Sequence, residues 1–179
     1  LEALGTRARE ASREIWQVLI GEGMRSAVDF APSLFRVKAT LEAQFRELYL
    51  ASFAPRVVVY KALATGHQLA RFYEDLVNPS LRARVAIFHR RFSTNTFSNW
   101  YLAQPFRLLG HNGEINSIAA NRNAVRNLER EQRLPAVLMP QGSDSADLDR
   151  MLELLTVRGL PLDEALLCMM PAAWRDLPA

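Results

Sequence analysis

The sequence predicts an α+β fold. One observation is a set of short apolar runs that stop at polar clusters. Val85-Ala86-Ile87-Phe88 runs into two arginines, and Phe106 to Leu109 runs into His111-Asn112-Gly113-Glu114. Runs of this length, bounded by polar residues, read as buried strands. A second observation is amphipathic helical spacing in the stretches that follow, over 115–133 and 145–158. A third is a pair of β-branched and aromatic runs, 48–53 and 57–62, around Ala54-Pro55-Arg56, which reads as a hairpin. Strands are therefore expected at 47–62, 84–90 and 106–111, in layered contact with helices.

Taken in order, Glu2 to Ile20 reads as a helix, because Leu4, Ala8, Ala11, Ile15, Val18 and Leu19 recur at helical spacing. Gly21 and Gly23 end it, and 24–32 reads as a loop closing at Pro32. Ser33 suits the N-cap of a second helix reaching about Phe45. Thr65 suits the cap of a short helix to about Leu76, and Pro79 breaks the chain before the 84–90 strand. Residues 97–105 show no period and read as loop. The helix from Ile115 keeps Ile118, Ala119, Val125 and Leu128 mostly on one face. After a loop at 134–144, Leu148, Met151, Leu152, Leu154 and Leu155 form the apolar face of the next helix. Gly159 stops that helix, and 162–170 forms another before Pro171.

The chain has 179 residues, enough for one domain or part of one. A chain this long buries about 70% of its unfolded surface, so a true core is available. Apolar content of 49% and charged content of 23% are ordinary for a soluble globular protein. No apolar run approaches the roughly 18 residues of a membrane span, and no signal-peptide pattern opens the chain. The single cysteine, Cys168, forbids an internal disulfide and suits a reducing compartment. Its apolar neighbours predict a buried small hydrophobe rather than a nucleophile. The opening inside a helical pattern and the absence of an initiator methionine suggest an internal fragment.

The chemistry gathers where strands end. Arg91 offers a fork of donors suited to a carboxylate. Asn112 offers an amide donor and Gly113 an unobstructed backbone N–H, a pair suited to a developing oxyanion. Asp144 stands at a helix start, where the local dipole favours a carboxylate ready for a cation. Each has a plainer reading: a solvated arginine, an Asn-Gly turn, a helix cap. His89 and His111 suit structural hydrogen bonding better than zinc, since no cysteine or carboxylate spacing accompanies them. Arg122, Arg126, Arg130 and Arg133 form a basic stripe with helical spacing. Glu129 and Glu131 interrupt it, which favours a salt-bridged face over a nucleic-acid surface.

Three separated stretches carry a family resemblance. They are Arg91-Phe92-Ser93-Thr94-Asn95-Thr96, Leu102-Ala103-Gln104-Pro105-Phe106-Arg107 and His111-Asn112-Gly113-Glu114-Ile115-Asn116. In that order they resemble the glutaminase domain of the glutamate synthase large chain, a class II glutamine amidotransferase. Val59-Tyr60-Lys61, Ser143-Asp144-Ser145-Ala146 and Pro171-Ala172-Ala173-Trp174 extend the likeness over most of the chain. The resemblance implies a four-layer αββα N-terminal-nucleophile sandwich, lacking its N-terminal strand, with 1–179 as its middle portion. It implies that Arg91 binds the glutamine α-carboxylate and Asp144 the α-ammonium, with their charged heads roughly 4–8 Å apart on one cleft. It further implies that Asn112 and Gly113 form the oxyanion hole, and that Phe92 and Thr94 line the pocket. The family attacks with an amino-terminal cysteine, which Leu1 and Cys168 do not supply.

Ammonia for glutamate synthesis from 2-oxoglutarate is the implied product. FMN and an iron–sulfur cluster belong to the implied synthase part, and a small reductase subunit is an implied partner; no nucleic acid or membrane partner is expected. Cytoplasm, or plastid stroma in a photosynthetic eukaryote, is the implied location. A non-catalytic glutamine-binding module on the same scaffold is the alternative, and nucleic-acid binding through Arg122, Arg126 and Arg130 is a further one. Unpaired strand edges and exposed apolar surface are expected of such a piece.

Overall fold

The computed structural model describes residues 2, 4–21, 27–90 and 99–171. Regular structure among them is helical. In chain order it comprises α1 (Thr6–Glu10), α2 (Ala27–Gln44), α3 (Gly66–Phe72), a 3-10 turn (Glu74–Val77), α4 (Ile118–Gln132), α5 (Asp144–Val157) and α6 (Leu162–Met169).

The core is built around α5, which packs against α6, α2 and α4. Leu148, Met151, Leu152 and Leu154 of α5 are its most deeply buried large side chains. Phe35 from α2, Val125 from α4, Ala165 and Met169 from α6, with Ile115 and Val137 from loops, close around them. The cap of α5 follows from sequence chemistry: the Ser143 hydroxyl accepts the Ala146 N–H at 3.1 Å. Gly159, with φ of +96°, takes the left-handed turn after the helix.

Burial of α5 extends to its charged residues. Asp147, Asp149, Arg150 and Glu153 are all buried, so the face that reads as solvated is packed. Three of the four have a charged partner, and Asp149 has a backbone donor, the Leu108 N–H. Lys38 of α2 donates to Glu153 at 2.7 Å, and Arg107 lies 3.1 Å from the other oxygen of that carboxylate. Arg150 forks onto both oxygens of Glu42 at 2.8 and 3.0 Å. Arg122 pairs with Asp147 at 2.7 Å. Charges taken from water are tolerated only with such partners.

Several expected elements differ. The helix expected over 2–20 is confined to α1; residues 12–20 are not helical, and Ile15, Trp16, Val18, Leu19 and Ile20 are exposed. An amphipathic face with nothing to bury against does not sustain a helix. The second helix begins at Ala27 rather than Ser33 and carries Pro32 inside it. Packing of α2 on α5 offsets the lost Pro32 hydrogen bond. Residues 47–62, 84–90 and 106–111 form no strand ladder among the described residues. A strand needs a neighbour for its N–H and C=O groups, whereas a helix closes its own. Here side chains and turns take those groups: Leu50 N–H goes to Glu42, Val59 N–H to the Ser52 hydroxyl, and Phe106 N–H to Leu109 C=O. Val85, Ile87 and Phe88 lie exposed. Cys168, expected to be buried, is exposed because Ala165 and Met169 hold the inner face of α6.

Candidate functional site

The segment from Asn99 to Ile115 has little regular structure and is held by side chains from elsewhere. Asn99 accepts the Leu102 N–H at 2.8 Å. The Lys61 ammonium nitrogen, Nζ, donates to the Tyr101 C=O at 3.0 Å and to the Tyr49 hydroxyl at 2.7 Å. It also sits 4.2 Å from the centre of the Phe106 ring. Lys61 is 5% exposed. Burial pulls its amine down to about 7, opposed by nearby Asp149. Burial raises the Tyr49 phenol, keeping it protonated. Further along, Asp149 accepts the Leu108 N–H at 2.6 Å. Burial raises the Asp149 carboxyl, and that backbone donor opposes the rise.

Asn112 and Gly113 stand exposed at the tip of this segment. The Gly113 N–H donates to His111 Nδ1 at 3.2 Å. A side chain at Gly113 would begin 3.2 Å from the His111 ring, which would have to shift by a few tenths of an ångström to admit it. Asp144 is half-buried at the start of α5. Its Oδ2 accepts the Ile115 N–H at 3.2 Å, and its Oδ1 accepts the Ser145 N–H at 2.6 Å. This joins residues 29 apart in sequence and brings the first turn of α5 against the Asn112-Gly113 loop. Oδ1 also accepts the Ser145 hydroxyl at 3.2 Å, so the lone pair left for a further donor is on Oδ2. On the far side of the loop, Ser117 and Asn121 both donate to the Met169 C=O, at 2.6 and 2.7 Å, fixing the start of α4 on the end of α6.

Arg91, Phe92 and Thr94 lie outside the described residues, as does the expected approach of Arg91 to Asp144. The partly open cavity between α2 and α5, near Lys38, Glu42, Arg150 and Glu153, measures about 10 Å³ and has room for one water at most. It is not a substrate site. Arg122 leaves the basic stripe, since it pairs with Asp147 and donates to the Gly142 C=O at 3.2 Å. Arg126 and Arg130 remain exposed. No group of three or more metal-ligating side chains occurs among the described residues, nor does any helix long and apolar enough to cross a membrane.

The class-II glutamine amidotransferase family matches residues 1–179. The chain belongs to that family. It is 36% identical over 195 residues to the chloroplastic ferredoxin-dependent glutamate synthase of Oryza sativa subsp. japonica, covering 99% of this chain and 12% of that protein. Against the ferredoxin-dependent glutamate synthase 2 of Synechocystis sp., identity is 35% over 196 residues, with 99% and 12% covered. The NADH glutamate synthase of Saccharomyces cerevisiae is 40% identical over 153 residues, covering 79% of this chain and 7% of that protein. The chain thus spans about an eighth or less of the relatives it matches. Within this amidotransferase chain, Gln104, Lys61 and Asp149 hold the loop that carries Asn112 and Gly113. Sequence reading did not assign these three such roles. The motif Leu102 to Arg107 pointed to Gln104 only as a member of the family pattern.

Proposed function

We propose that this chain binds glutamine for hydrolysis of its side-chain amide, within a larger glutamate synthase that uses the ammonia to make glutamate from 2-oxoglutarate. The observation carrying this reading is the Ile115–Asp144 hydrogen bond, which ties a carboxylate suited to an ammonium to the loop bearing two amide donors. In the proposed site, Arg91 clamps the α-carboxylate through two parallel bonds. Asp144 takes the α-ammonium, while Phe92 and Thr94 wall the pocket. The attacking thiol comes from a cysteine beyond these 179 residues, with its own α-amine as base. Sulfur adds to the side-chain carbonyl carbon, and negative charge moves onto oxygen. Asn112 and the Gly113 N–H receive that charge, the oxygen displacing His111 Nδ1 as the acceptor. The C–N bond then breaks, ammonia leaves, and water releases glutamate from the thioester.

In the same reading the chain is the middle of a four-layer αββα sandwich, whose strands cover the exposed runs at 15–20 and 85–88. FMN and an iron–sulfur cluster belong to the synthase part. The residues here do not fit such a cluster, which is held by several cysteine thiolates, because the sequence has one cysteine. The remaining large chain is the partner in cis, and a small reductase subunit is a further partner. Cytoplasm or plastid stroma is the location.

Ammonia release and glutamine calorimetry on the native gene product test the proposal. Replacing Asp144→Asn removes a charge-assisted contact and should raise KM for glutamine about 10- to 100-fold. Glutamine binding without ammonia release by the unmutated protein would instead favour a binding module. An Asp144→Asn protein with unchanged KM would remove Asp144 from the site.

A further inference from the structure

Gln104 makes two hydrogen bonds to a single residue. Its Nε2 donates to the His111 C=O at 2.7 Å, and its Oε1 accepts the His111 N–H at 2.7 Å. A side-chain amide here copies what a paired strand would do, satisfying one residue's donor and acceptor together. The pairing fixes the amide orientation, since the oxygen faces an N–H and the nitrogen faces a C=O. The residue so gripped stands immediately before Asn112 and supplies the imidazole that accepts the Gly113 N–H. Gln104 is itself anchored on both sides in sequence. Tyr101 is held by Lys61, and Phe106 is buried.

We propose that Gln104 is a positioning residue that sets the direction of the Asn112 and Gly113 donors. The inference rests on the oxyanion reading of those two residues. Without the clamp, the 110–114 turn keeps its Ile115 anchor on one side, and on the other its nearest anchor recedes to Leu108, held by Asp149. Donors aimed at a developing oxyanion lose effect steeply with displacement. In the proposed site glutamine binds through Arg91 and Asp144, whereas the Gln104 amide is spent on His111, so the defect should fall on kcat.

The test uses the native gene product with Gln104→Met, which keeps the bulk and loses both bonds, and Gln104→Glu. Gln104→Met should lower kcat for ammonia release about 10- to 100-fold, with KM for glutamine within about twofold. The Glu carboxyl reproduces the amide pattern only when protonated. The activity of Gln104→Glu relative to the unmutated protein at the same pH should therefore recover as pH falls, while Gln104→Met stays low. A Gln104→Met protein with unchanged kcat, or with kcat and KM altered together, overturns the inference. Asn112→Ala in parallel separates the layers: if it leaves kcat unchanged, the oxyanion reading itself fails. If Asn112→Ala is defective and Gln104→Met is not, only the positioning role fails. Hydrogen exchange of the unmutated protein gives a check that needs no variant to fold. The His111 amide should exchange at least about 100-fold more slowly than the exposed Asn112 amide, in line with its bond to Gln104. Equal rates would overturn the clamp.

Discussion

The α5 region and the segments at 12–20 and 84–90 carry comparable apolar residues and meet opposite fates. Met151 is 0% exposed, while Leu19 is 90% and Phe88 86% exposed. Hydrophobicity alone therefore does not decide burial here. Helix α5 closes its own backbone hydrogen bonds and needs only side-chain neighbours, which α2, α4 and α6 provide. An extended run needs a neighbouring backbone as well as a cover. Among the described residues, 84–90 has no paired strand.

The sharpest way to break this contrast is at Glu153. Glu153→Ala leaves Lys38 and Arg107 facing each other in the core without their carboxylate. A loss of about 3–5 kcal/mol is expected, measured by urea unfolding. A loss below about 1 kcal/mol would mean that water reaches the pair and that the α5 polar face is not a true interior.

A smaller effect, sharper in its signature, is expected at Lys61. Its amine titrates near 7 when folded and at 10.5 when unfolded, because burial disfavours the charged form. Below pH 7 both states hold the proton, and the burial penalty stands in full. Between those values the unfolded chain binds more protons, so stability rises with pH by up to about 1.4 kcal/mol per unit. Lys61→Met should remove that slope. Parallel stability–pH curves for the two proteins from pH 7 to 9 would show that Lys61 stays charged inside.

The smallest effect is expected on the exposed side of the comparison. Phe88→Ser should change stability by no more than about 0.5 kcal/mol in this chain, as for a surface site. In the native gene product, where the proposed sandwich covers this run, the same change should cost several times more. Equal small effects in both would argue that Phe88 stays at the surface.

The sequence by itself determined the elements whose causes are local. Helices α4, α5 and α6 follow from apolar spacing, and the end of α5 from Gly159. The motifs at Gln104, Asn112, Gly113 and Asp144 were also readable, as residue types in a family order. Tertiary structure alone decided the rest. Asp149, Arg150 and Glu153 look solvated by type but are buried, because their partners Lys38, Glu42, Arg107 and Leu108 come from distant segments. The Gln104–His111 clamp and the Ile115–Asp144 bond have no periodic signature, since a side chain gripping a backbone group leaves no repeat in sequence. Helical pattern at 12–20 was overridden for the converse reason. A periodic face records what a segment can bury, and only a neighbour in space turns that capacity into structure.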